Sequence, residues 1–201
     1  RGRGSLFADS NVVLIYNQFN QSIKKQRLTG DSSANFYFDL LNKRYPADVL
    51  TIDAKQTLAA EFINFAQRKI NLYLSGKDAL GIQQIRTQLD ETQRSEELLA
   101  GIERLEYIAG LDFENVALMM KKAIDLIDPI DSMLIKNVKA KYFFFKARSY
   151  FDEKDRISNI QETKDFIYQS YAIDSNAAYV LHTIASLQLQ QKRPDSAIFF
   201  S

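Results

Sequence analysis

The residues of this 201-residue chain that could do chemistry are scattered carboxylates, one histidine, and a run of cations set among aromatics. Adjacent acidic pairs such as Asp152/Glu153 and Glu96/Glu97 are ones from which a general acid and base could be drawn. Neighbours on a helix point about 100° apart, so neither pair converges on one substrate atom, and both read as solvated faces. His182 is the sole histidine, and a metal site built on it would need several carboxylates to converge. No H-E-x-x-H, P-loop or G-x-S-x-G pattern occurs. The absence of cysteine removes disulfides, thiolate zinc sites and cysteine nucleophiles together. The expectation is a chain without catalytic residues, metal or cofactor, and so not an enzyme.

Lys136, Lys139, Lys141, Lys146 and Arg148 alternate with Tyr142, Phe143, Phe144 and Phe145, the mixture found on surfaces that stack and neutralise single-stranded nucleic acid. Helical spacing divides them. Phe143, Ala147 and Tyr150 form one stripe that packs inward, while Lys141, Phe144 and Arg148 share another that faces outward. Lys and Arg number 26 against 25 Asp and Glu, a net charge of +1, which is not the footprint of a phosphate-binding domain. The reading is therefore an aromatic core beside a basic wall, with no nucleic-acid partner. Lys24, Lys25 and Arg27 sit at the end of the first helix, where cations favour the negative end of the helix dipole. Met119, Met120 and Met133 are expected to fill gaps in the core.

The elements that must position these residues are helices. Apolar residues make up 46% of the chain, with seven glycines and three prolines, enough for a sizeable core and too few breakers for an all-β fold. Caps and breakers mark about ten helical segments. They span 10–28, 32–45, 53–75, 78–91, 95–109, 112–128, 131–152, 158–174, 176–191 and 195–201. Asp31 and Asp53 are expected as N-caps, Pro194 suits a first helical position, and Pro46 and Pro129 stop helices. Segment 53–75 carries two apolar stripes, Leu58, Phe62, Phe65 and Leu72 beside Ala59, Ile63, Ala66, Ile70 and Leu74, as a helix sandwiched between neighbours does. Residues 1–9 read as a linker or remnant, and 10–201 as a single helical domain.

From Tyr179 to Ala197 the chain resembles a tetratricopeptide repeat, through Leu181, Ile184-Ala185 and Ala197, with Gln188 where the family has an aromatic and Lys192 where it has a turn glycine. Residues 140–174 are similar through Phe143, Ala147, Tyr150 and the Lys154-Asp155 turn, with about four extra residues between their helices. Residues 97–129 match through Tyr107, Gly110, Phe113, Val116, Met120, Ala123 and Asp128-Pro129. In 15–46 only the second helix fits, through Ala34, Phe38, Leu41 and Pro46. Thr163 and Ala197 are 34 positions apart, the period of this family, whereas Val116 and Thr163 are 47 apart. The resemblance implies an all-α, irregular solenoid of stacked antiparallel helical hairpins. Hairpins over 10–92 are divergent and those over 93–201 tetratricopeptide-like. The first 90 residues also resemble, loosely, helical regions that follow membrane anchors in bacterial signalling or envelope proteins.

Such a stack is expected to be a scaffold that binds a protein segment, acidic in character, on the inner face of its first helices, as part of a larger bacterial protein. The candidate contacts are Lys141, Phe144, Arg148, Tyr179, His182 and Ser186. The cations would clamp a carboxylate while Phe144 and Tyr179 supply desolvated area. Reversing charge at Lys141 and Arg148 is then expected to leave thermal stability unchanged. The alternative is a ligand-sensing module, the extracytoplasmic or linker region of a membrane-anchored signalling protein. Membrane association would come only through a flanking segment, and both cytoplasm and periplasm fit. A last helix cut short at Ser201 is expected to expose Leu181, Ile184 and Leu187 and to favour self-association.

Overall fold

A computed structural model describes residues 10–76, 101, 112–150 and 159–200. Eight α-helices stand among the described residues: α1 (Ser10–Lys24), α2 (Ala34–Arg44), α3 (Val49–Leu74), α4 (Phe113–Leu126), α5 (Ser132–Ser149), α6 (Ile160–Ile173), α7 (Ala178–Gln190) and α8 (Pro194–Phe199). The expected helices over 78–91 and 95–109, the acidic pairs Glu96/Glu97 and Asp152/Glu153, the Gly110 and Lys154-Asp155 turns, residues 1–9 and Ser201 lie outside the described residues. The chain divides into two compact units, Arg1–Phe62 and Ile63–Ser201, and the division falls within α3. Among the described residues no helix is long and apolar enough to cross a membrane.

In the first unit α1 packs on α2. Val12 and Phe19 of α1, Leu28 of the connection and Ala34, Phe38 and Leu41 of α2 are buried. The connection turns through residues in the left-handed region, Gln26 at φ 55°, Gly30 at φ 94° and Ser32 at φ 54°. Ser33, rather than Asp31, caps α2, its side chain accepting from the Phe36 amide at 3.2 Å. Asp53 does not cap α3 either. The helix starts four residues earlier at Val49, where the Asp48 carboxylate accepts from the Leu50 amide at 2.8 Å, and Asp53 lies inside it, accepting from the Tyr16 hydroxyl.

In the second unit the packing runs helix to next helix: α4 on α5, α5 on α6, α6 on α7 and α7 on α8, with α5 also touching α7. Small residues let the backbones approach. Ala140 and Ala147 of α5 and Thr163 and Ser170 of α6 are fully buried, and the Ser170 hydroxyl donates to the Ala140 carbonyl at 2.7 Å. The expected inward stripe of α5 packs against Phe166, whose ring stacks with Phe143 at 6.3 Å and with Tyr150 at 6.0 Å. Between α4 and α5, Lys146 and Glu114 form an ion pair at 2.8 Å, which holds the Glu114 carboxyl below its usual range.

The expected start at Pro194 is found, as the first residue of α8. Asp112, Asp131 and Asn159 cap α4, α5 and α6, accepting from the amides of Asn115, Leu134 and Glu162 respectively. Lys192, after α7, adopts φ 59°, the left-handed conformation for which glycine is usually chosen. Both apolar stripes of α3 are covered except at Ile63, which is half-buried, and Leu74, which is exposed. Met119 and Met120 lie in the core, but Met133 is 81% exposed, because it follows Asp131 and Ser132 in the first turn of α5 before packing begins. Ile184 and Leu187 are fully covered, not exposed, while Ile198 and Phe199 of the short α8 stand in solvent.

The α5–α6 seam yields a test. Ser170→Ala removes a buried hydrogen bond and is expected to cost about 1 kcal/mol. Ser170→Leu also forces the helices apart and should cost roughly 2 kcal/mol more. Urea unfolding of both variants checks the order; equal stability of the leucine variant and wild type would contradict close packing here.

Candidate functional site

The chemically distinctive place in the second unit is a set of cations embedded in aromatic rings. Three helices and one helix start supply it. Lys69 and Tyr73 lie four apart on α3, one above the other on a single face. Lys141, Phe144, Phe145 and Arg148 follow the helical stripe of α5. Tyr179, His182, Thr183 and Ser186 lie along α7, and Phe113 opens α4 beside its cap Asp112.

Tyr73 is the meeting point. Its ring lies 4.8 Å from the Arg148 guanidinium carbon, 5.6 Å from the Phe144 ring, and edge to face with Phe113 at 6.1 Å and His182 at 5.3 Å. Its hydroxyl is 3.2 Å from Thr183 Oγ1, which itself donates to the Tyr179 carbonyl at 2.8 Å. Phe113 receives both cations, Lys69 Nζ at 5.1 Å and the Arg148 guanidinium at 5.2 Å from its centroid. Phe144 packs on Phe145 at 4.9 Å and on Tyr179 at 4.8 Å. A desolvated cation over an aromatic face gains about 2 kcal/mol or more, which offsets part of the cost of leaving water.

Burial sets the electrostatics. Lys69 is 7% exposed, and its ammonium is pushed down to about 8, chiefly by loss of water and in spite of the Asp112 carboxylate, which favours the charged form. Lys141, also 7% exposed, is lowered by burial against the opposing pull of Asp174, and donates to the Asn137 side chain. Tyr179 is pushed up to about 12, first by burial and then by Asp174.

The six sequence candidates separate. Lys141, Phe144, Arg148 and Tyr179 are buried, so the stripe of α5 expected to face outward is covered instead. The reason is that α5 is enclosed on two sides: Phe143 and Tyr150 meet α6, while Phe144 and Arg148 meet Tyr73, Phe113 and Tyr179. Charge reversal at Lys141 and Arg148 would bury two carboxylates in this setting and would disturb the fold itself. His182 is exposed and Ser186 partly so, with the Ser186 hydroxyl donating to the His182 carbonyl at 3.0 Å. The structure thus brings Phe144, Arg148, Tyr179 and His182 into one cluster and leaves Lys141 toward Asn137 and Asp174. Sequence reasoning missed Lys69, Tyr73, Phe113 and Thr183. The available signal was the Phe65, Lys69, Tyr73 spacing on α3, which places a lysine on an otherwise apolar face.

Among the described residues no three of His, Asp and Glu lie together as a metal site requires. No protein-family model matches the chain, and no curated protein or solved structure matches it.

Lys69 imposes a pH dependence. With a folded value near 8 below an ordinary 10.5, the unfolded chain holds the proton more tightly between those limits. Stability therefore carries the full cost of the buried charge below pH 8 and recovers as pH rises toward 10.5. Tyr179 acts in the opposite direction above pH 10, where the unfolded phenol ionises first. Lys69→Met is expected to gain most over wild type at pH 7 and progressively less by pH 10. Urea unfolding across that range checks it, and a pH-independent difference would contradict it.

Proposed function

We propose that the chain is a non-enzymatic helical scaffold of the tetratricopeptide type that binds a protein segment of acidic character along the face shared by α5 and α7. The observation that carries this reading is the packing order of the second unit. Consecutive helices pack in series and α5 touches α7, the first helix of the next hairpin, as in a one-dimensional stack. The buried small residues Thr163 and Ala197, 34 positions apart, mark equivalent places in the two hairpins. Along α7, Ala178, His182 and Leu189 are exposed and Ser186 partly so, leaving one stripe of this helix open. Arg148, joined to His182 through the Tyr73 ring, sets a positive charge behind this face, which favours an acidic segment. By the resemblance of its first 90 residues, the scaffold belongs to a larger bacterial signalling or envelope protein.

An Ala178→Glu, Leu189→Glu double variant tests the reading, because both positions of the open stripe are exposed. Affinity capture from the source cell should retain a protein on the wild type and lose it on the variant, with melting temperatures within about 1 °C, as expected for surface substitutions. Equal retention on both would contradict the assignment of this face.

A further inference from the structure

The outer side of α6 carries a groove that the scaffold reading does not use. Thr163, Ile167 and Ser170 form the buried side of this helix. The opposite rows, Lys164, Tyr168 and Ala172 beside Asp165 and Gln169, line an open groove of about 560 Å³, within the size range of small-molecule sites. Lys164 and Tyr168, one turn apart on one row, bring an ammonium and a phenol to it. Asp165, on the adjacent row, adds a carboxylate that accepts from Gln161 Nε2 at 2.7 Å. A cation and an anion on neighbouring rows can each take one end of a ligand that carries both charges. Behind the phenol stands Gln188 of α7, 8% exposed, whose Nε2 donates to the Tyr168 hydroxyl at 3.3 Å and whose Oε1 is buried with no hydrogen-bond partner. An unmet buried acceptor is destabilising, and an apolar side chain would fill the same place without that cost. What the amide adds is orientation: it occupies a lone pair of the phenol oxygen and leaves the O–H proton to be donated into the groove.

We infer that this groove binds a zwitterion of the amino-acid class, a free α-amino acid or a short peptide. The ligand's carboxylate accepts charge-assisted hydrogen bonds from the Lys164 ammonium and the Tyr168 hydroxyl, and its ammonium lies against Asp165. Gln188 is a positioning residue that acts through Tyr168. The open stripe of α7 takes no part, so the inference does not rest on the scaffold reading given above.

The test is saturation-transfer NMR on the whole chain, with the twenty free amino acids and the dipeptide Ala-Ala as probes. At least one probe should bind with a Kd below about 10 mM. The same probe N-acetylated, or as its C-terminal amide, lacks one charge and should bind about tenfold more weakly. Lys164→Met and Tyr168→Phe, both at positions that reach solvent, should each weaken the wild-type affinity about fivefold or more. Gln188→Met should weaken binding while raising the melting temperature of the free protein by a few degrees, a pair of changes that a merely structural glutamine would not give. Binding of a free amino acid and binding of Ala-Ala each support the inference, and their relative affinity sets the length of the ligand. No binding by any probe, equal affinity of the capped forms, or variants that bind like the wild type would overturn it.

Discussion

Two cations, Lys69 and Arg148, are buried against one ring, Phe113, and the second unit is arranged around keeping them there. Taking an ammonium or guanidinium out of water costs several kcal/mol, on the order of what a small domain has in reserve. Apolar packing alone would not repay that. Aromatic faces do so in part, because their quadrupole attracts the charge while their area excludes water. The consequence is architectural. Tyr73, Phe113, Phe144 and Tyr179 come from four different helices, and Arg148 joins three of those helices by lying over two of their rings. Cations that would be surface features on an isolated helix become a fastening for several.

The same constraint shapes the serial stack. Where α5 meets α6, small side chains and the Ser170 to Ala140 hydrogen bond bring the backbones close. On its other side α5 meets large rings. A helix with one close-packed seam and one aromatic face needs neighbours on both, which is why the helical segments continue α4, α5, α6, α7 rather than closing into a single hairpin. The aromatic face is the part of the unit where charge, hydroxyls and rings come together.

Periodicity made much of this legible. The stripes of α3, the stops at Pro46 and Pro129 and the start at Pro194 follow from local rules that act within a turn or two. The caps at Asp31 and Asp53 went astray because several polar residues compete at each helix start, and Ser33 and Asp48 are better placed by the turn geometry. The larger error concerned Lys141, Phe144 and Arg148. Charge suggested solvent, and a single helical wheel gave no means of knowing that Tyr73, 75 positions before Arg148, would lie against Phe144 and Arg148. Long-range aromatic contacts of this kind leave no periodic trace, and only Lys69 on the apolar stripe of α3 hinted that a cation would be taken inside.

The central claim, that Arg148 is held by the ring of Tyr73, is open to a double-mutant cycle using Arg148→Met and Tyr73→Leu, each alone and together, with stability read by urea unfolding. Both substitutions keep apolar bulk, so the cycle isolates the contact between charge and ring. A coupling of about 1 kcal/mol or more is expected for a desolvated pair. Additivity within about 0.3 kcal/mol would mean that ring and guanidinium are merely neighbours, and would contradict the account.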